Sequence, residues 1–158
     1  MLKTLCAVAT IVFLSTKAEA QQGQELWHGL RVGMTKEEVR TILPKNEIDL
    51  LPDCRASISI RYESNRLVSV MLGEKWLLSK NNCISPMTTS LAERYGKASR
   101  SVIESPSTSP LTRGSYEQYV WTKAGILIDY RSQLGGRSWS LTYRLAPEST
   151  PSSKIEGL

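Results

Sequence analysis

The sequence predicts an α+β domain in which two short helices pack on one face of an antiparallel β-meander sheet. Two regions of strict alternation and two short helical stretches carry that prediction. Ala56, Ile58, Ile60 and Tyr62 alternate with Ser57, Ser59, Arg61 and Glu63, the pattern of a strand with one buried face. A later region repeats it in three pieces, around Tyr119 and Trp121, around Ile126, Ile128 and Tyr130, and around Trp139, Leu141 and Tyr143. That is the pattern of an antiparallel sheet with one covered side. The helical stretches are too short to cover both faces, so one face is expected to stay open.

In chain order, residues 1–20 read as a cleaved secretory signal peptide. Lys3 precedes an apolar run over 6–14, and Ala18-Glu19-Ala20 places small residues ahead of Gln21, with the run too short to span a bilayer. Cys6 stands at the front of that run, whereas a lipid-modified cysteine follows it. Residues 21–146 read as a single domain. A polar lead-in over 21–25 is followed by Leu26-Trp27-His28-Gly29-Leu30, with Gly29 and Gly33 as turn residues.

The first helix is expected over 36–43. Thr35 and Glu38 have capping-box spacing, Met34 and Val39 occupy the staple positions, and Pro44 stops the helix. Residues 45–54 read as irregular. The strand over 56–63 turns at Ser64-Asn65, where Asn tolerates positive φ. It returns over 67–72 with Val68, Val70 and Leu72 facing inward. Trp76-Leu77-Leu78 resumes apolar packing after Gly73.

The second helix is expected to start at Ser85 as cap and Pro86 as first residue. Met87, Leu91 and Tyr95 form its stripe and Gly96 its end. Residues 101–103 read as a short strand and 104–115 as a flexible loop. The meander closes the domain, and residues 147–158 form a disordered tail. Met34-Thr35 and Met87-Thr88 open both helical regions, so the halves read as a degenerate tandem α-β repeat.

Of three cysteines, Cys54 and Cys83 lie beyond the signal peptide. An even count in an exported chain reads as a structural disulfide closing a loop of about 30 residues. A metal or redox pair fits less well, since there is no CxxC and the one histidine, His28, is distant in sequence. The net charge is +5, without the Lys/Arg cluster of a nucleic-acid arm. That charge fits a solvated surface, or weak attraction to anionic membranes or acidic proteins.

The stretch Gly33-Met34-Thr35-Lys36-Glu37-Glu38-Val39, behind a signal peptide and ahead of strands, resembles the opening of the SmpA/OmlA-type outer-membrane assembly domain, whose architecture is shared with β-lactamase inhibitor proteins. Tyr95-Gly96-Lys97 resembles the ending of related repeats. The resemblance implies an envelope-assembly module. Pro44 stands where a post-helix glycine is the family's pattern, and the lipobox is absent, which implies a periplasmic or secreted chain without a lipid anchor.

Catalytic chemistry has little to draw on. A Ser-His-Asp or Cys-His site would have to use His28, which lies between Trp27 and Gly29 with no acid nearby in sequence. Glu37 and Glu38 are helix-start carboxylates. Asp49, Asp53 and Asp129 have no metal-ligand spacing, and no glycine-rich phosphate loop occurs. No catalytic residue, metal or cofactor is expected. The strand faces opposite the apolar ones hold Gln118, Thr122, Asp129, Arg131, Ser138, Ser140, Thr142 and Arg144. They form either a solvated face or a contact surface for another envelope protein, with Trp27 and Trp76 as open candidates for an aromatic anchor and an exposed Trp27 as a hot spot. The expected function is therefore an exported, non-catalytic interaction or scaffolding module with no nucleic-acid partner and no transmembrane segment. The alternatives are a small hydrolase using His28, and a lipid or small-ligand carrier with a cavity between helices and sheet.

Overall fold

The computed structural model describes residues 23–74, 82–104, 114–135 and 138–147. The segment read as a signal peptide, Trp76-Leu77-Leu78, and nearly all of the 104–115 loop and the 147–158 tail lie outside the described residues. The chain starts with a two-stranded ribbon, β1 (Glu25–Trp27) and β2 (Leu30–Arg31). Helix α1 (Lys36–Ile42) follows, then β3 (Glu47–Leu51), β4 (Cys54–Glu63) and β5 (Arg66–Glu74). Helix α2 (Ile84–Tyr95) leads into β6 (Ser99–Glu104), β7 (Ser115–Lys123), β8 (Ile126–Gln133) and β9 (Trp139–Leu145). The seven strands β3 to β9 form one antiparallel sheet in the order β3-β4-β5-β9-β8-β7-β6.

The fold class is corrected by this content. Strands take 55% of the described residues and helix 18%, so these residues are mostly β and not a balanced α+β packing. Helix α1 is followed by three strands and α2 by four, and the two sets join through their last members, β5 and β9. The expectation missed strands that are short or framed by turn residues. Glu47 to Leu51 does alternate, with Ile48 and Leu50 packed against the core, but Pro44 and Pro52 frame it and made it read as irregular. Pro52-Asp53 is the tight turn into β4, with Asp53 at φ 62°, a turn that Pro at the first central position favours. The ribbon turns on His28 and Gly29, at φ 46° and 80°. The edge strand β6 is longer than the 101–103 segment expected.

Register explains which side chains are inside. At the β4–β5 hairpin, Ser64 and Asn65 both take positive φ, the geometry of a two-residue hairpin turn. An irregularity between Arg61 and Tyr62 shifts the pairing so that Leu67, not Val68, faces Tyr62. Leu67, Val70 and Leu72 are fully buried, and Val68 is only half-buried. The inner row continues through Leu141 and Tyr143, Tyr130 and Ile128, to Tyr119 and Trp121.

Helix α1 lies over β4, where Lys36 sits 5.5 Å from the Tyr62 ring centroid and Val39 is buried. Helix α2 lies over the middle strands: Trp121 Nε1 donates to Gly96 O at 2.8 Å and the Tyr130 hydroxyl to Ile84 O at 3.3 Å. Its start is corrected. Cys83 is the N-cap residue, with no side-chain cap bond, and Ser85 and Pro86 lie inside the first turn. Asn82 Oδ1 accepts the Ile84 N–H at 3.0 Å, and Pro86 removes an N–H that the first turn leaves unpaired anyway. Cys54 and Cys83 form a disulfide with a Cα–Cα distance of 5.7 Å, tying the start of β4 to the start of α2.

The capping box of α1 closes in both directions. Glu38 N donates to Thr35 Oγ1 at 3.3 Å, and Thr35 N donates to Glu38 Oε2 at 2.7 Å. The hydrogen bond from the Thr35 backbone, then that with its hydroxyl, holds the Glu38 carboxyl below its usual value. A depressed carboxylate contributes stability above its unfolded pKa, near 4.3, and loses it as pH falls through the folded value. Thr35→Ala is expected to cost about 1 kcal/mol in urea unfolding at neutral pH and to flatten the acid limb below about pH 4.3. An unchanged midpoint and limb would show that the hydroxyl half of the box contributes nothing.

Candidate functional site

Two places combine exposed polar groups with buried supports. The first is the sheet face opposite the helices. Cross-strand pairing puts Thr142 opposite Asp129, Ser140 opposite Arg131 and Arg144 opposite Leu127. Period-two alternation therefore brings Asp129, Arg131, Ser140, Thr142 and Arg144 onto one surface. Ser138 borders the same surface, lining a shallow depression of about 270 Å³ with Ile103, Tyr116, Arg131 and Ser140.

Asp129 departs from a plain solvated face. It is 6% exposed although no helix among the described residues covers it. Arg131 clamps it with two contacts, Nε to Oδ1 at 3.2 Å and Nη2 to Oδ2 at 2.7 Å, and Gln118 Nε2 donates to Oδ1 at 2.9 Å. Ser101 Oγ donates to Gln118 Oε1 at 3.3 Å, so the chain of polar contacts crosses β6, β7 and β8. Bidentate charge-assisted bonds of this kind fix the guanidinium plane. The Arg131 side chain remains 46% exposed, so a partner meets a cation whose orientation is already set. Met71, 43% exposed, lies on the same face opposite Thr142.

Sequence reasoning placed Asp129 and Arg131 but missed Ser101 and Met71. Ser101 lies within the strand expected over 101–103 but meets Gln118 only through the β6–β7 pairing, and Met71 is an apolar residue on the polar face of an otherwise regular alternation.

The second place is where the N-terminal ribbon crosses the end of the sheet. Trp27 is 5% exposed and belongs to the core. This decides the open case of Trp27 against an exposed anchor: it pairs with Leu30 across the His28-Gly29 turn and lies in the core. His28 is exposed, and its ring meets the Trp27 ring edge-on at 4.3 Å. Among the described residues, no hydrogen bond joins His28 to an acid or a hydroxyl. A cleft of about 390 Å³ opens beside it, with Arg94, Tyr95, Lys123 and Tyr143 among its lining.

Among the described residues, no group of three or more His, Cys, Asp or Glu is placed to hold a metal ion. No helix among them is long and apolar enough to cross a membrane. Comparison of the chain with family models, with curated proteins and with solved structures finds no match.

Proposed function

We propose that this chain is an exported protein-binding or scaffolding module that works by complementarity of its helix-free sheet face. The observation that carries this reading is the Ser101–Gln118–Asp129–Arg131 network. A desolvated carboxylate that holds a half-exposed guanidinium in one plane is costly as surface decoration and useful as a preset contact. Met71 beside it supplies an adaptable apolar contact. Export is supported by the disulfide, since such bonds persist in oxidising compartments, and by the signal-like sequence over 1–20. The resemblance of Gly33–Val39 to the opening of SmpA/OmlA-type domains supports an envelope protein as the partner.

Site-specific photocrosslinking tests the reading in the native host. A benzophenone amino acid in place of Met71 is expected to give one discrete protein adduct. The same group in place of the exposed Thr41, on the helical side, is expected to give none. Arg144→Glu, a reversal at an exposed position of the same face, is expected to reduce the Met71 adduct at least about tenfold, the weight of a hot-spot residue. Equal labelling from both sides, or none from Met71, would overturn the reading.

A further inference from the structure

The cleft beside His28 uses residues that the sheet-face reading leaves idle. Its floor is apolar: Trp27, Ile126 and Ile128 are 5%, 6% and 2% exposed, and all three contribute to its lining. Its rim carries two cations from different elements, Arg94 in the last turn of α2 and Lys123 at the end of β7. Both lie over the ring of Tyr95, Arg94 at 5.5 Å and Lys123 at 5.8 Å from its centroid. Cation–π contacts of this kind hold long side chains in place without using their N–H donors. Among the described residues the one carboxylate of the lining, Glu25, already accepts the Gly29 N–H at 3.0 Å.

The hydroxyl groups of Tyr95 and Tyr143 lie 3.4 Å apart, with either able to donate. One hydrogen bond uses one of their two protons, and Tyr143 is 4% exposed. The pair therefore keeps an O–H donor for a third group at the cleft wall. Burial, reinforced by the Tyr95 hydroxyl, pushes the Tyr143 phenol well above its ordinary value, so it stays protonated and able to donate. The ribbon closes the other side, with Gln24 Nε2 donating to the Ala124 carbonyl in the β7–β8 turn.

An apolar floor, two cations and a spare hydroxyl donor define a ligand with an apolar body and one anionic head. We infer that the cleft is a binding site for a small amphipathic carboxylate, its head between Arg94 and Lys123 and its body against Ile126 and Ile128. A neutral body alone would leave the cations unused. A polyanion would meet an apolar floor and only two positive groups. The site lies at the ribbon end of the molecule and does not depend on the sheet-face function.

Titration calorimetry on the intact protein, with decanoate as probe and decanol as its neutral counterpart, tests the site. Methyl NMR of Ile126 and Ile128 reports where the probe binds. Decanoate is expected to bind saturably, to shift both methyl signals and to bind at least about tenfold more tightly than decanol. The double variant Arg94→Gln/Lys123→Gln, at two exposed positions, is expected to lose that preference while retaining the native melting temperature. Absent saturation, equal affinity for both probes, or a preference that survives the double variant would overturn the assignment.

Discussion

Replacing Cys54 and Cys83 together by alanine is expected to destabilise the protein by about 3.6 kcal/mol, the chain-entropy value for a loop of this size. The bridge spans a sequence separation of 29 residues. In the unfolded chain it removes much of the freedom of the β4–β5 hairpin and the segment after it. In the folded state it links two elements that no backbone ladder joins, since β4 is a strand and Cys83 is the N-cap of α2. Both sulfurs are buried, with Cys54 3% and Cys83 0% exposed, so alanine also leaves small voids at each site. The check is urea unfolding of the double variant beside the native protein, with and without dithiothreitol. The reduced native protein is expected to approach the variant's midpoint. Three coincident curves would mean that the bridge acts equally on both states.

A loss of similar size is expected from Tyr130→Ala, about 3–5 kcal/mol, the usual range for truncating a large buried aromatic side chain. Tyr130 is fully buried at the centre of the inner sheet face. Its ring lies 6.1 Å from that of Tyr119 and 6.3 Å from that of Trp139. Its hydroxyl reaches the carbonyl of Ile84 in the first turn of α2, so one side chain joins β7, β9 and α2. Tyr130→Phe isolates the hydroxyl and is expected to cost about 1 kcal/mol. Thermal unfolding by circular dichroism of both variants separates the two contributions. A phenylalanine variant as unstable as the alanine one would place the effect in the hydrogen bond and not in packing.

The same burial sets an alkaline limit. It pushes the phenols of Tyr130 and Tyr143 well above the ordinary tyrosine range. A raised phenol pKa leaves stability intact below the unfolded value, near 10, and reduces it as pH rises past that value, because only the unfolded chain then releases the protons.

Some of the architecture was legible in the residues themselves. Thr35 and Glu38 mark the start of α1 because a capping box is a contact between neighbours in sequence, complete within one turn. The alternation of 56–63 and of the three late strands survives because a half-buried strand writes its two faces directly into the chain. The cysteine pair was legible because Cys54 and Cys83 have neither CxxC spacing nor a histidine close in sequence, which leaves a structural disulfide as the simplest use. The class was not legible. Short strands such as β1 and β2 have too few residues to show a period, β3 alternates but is framed by Pro44 and Pro52, and pairing, not local preference, makes them strands. The shift at Tyr62, which exchanges Val68 for Leu67, came from a register irregularity that no residue type announces.

The candidate sites divide along the same line. Arg131, Ser140, Thr142 and Arg144 could be assigned to one face by counting in twos. That Asp129 is desolvated there depends on Gln118 and Ser101 from two other strands, and that Trp27 is core depends on a turn at His28. The cleft was beyond sequence reasoning, because Arg94, Lys123 and Tyr143 come from a helix end, a hairpin and a central strand. By itself the sequence determined local matters: where α1 begins, which strand faces are apolar, and the pairing of Cys54 with Cys83. Only the tertiary structure decided strand order, the mostly β class and the grouping of charges around Tyr95. Those depend on contacts between residues far apart in the chain, whose energies are set by pairing and burial once the sheet has closed.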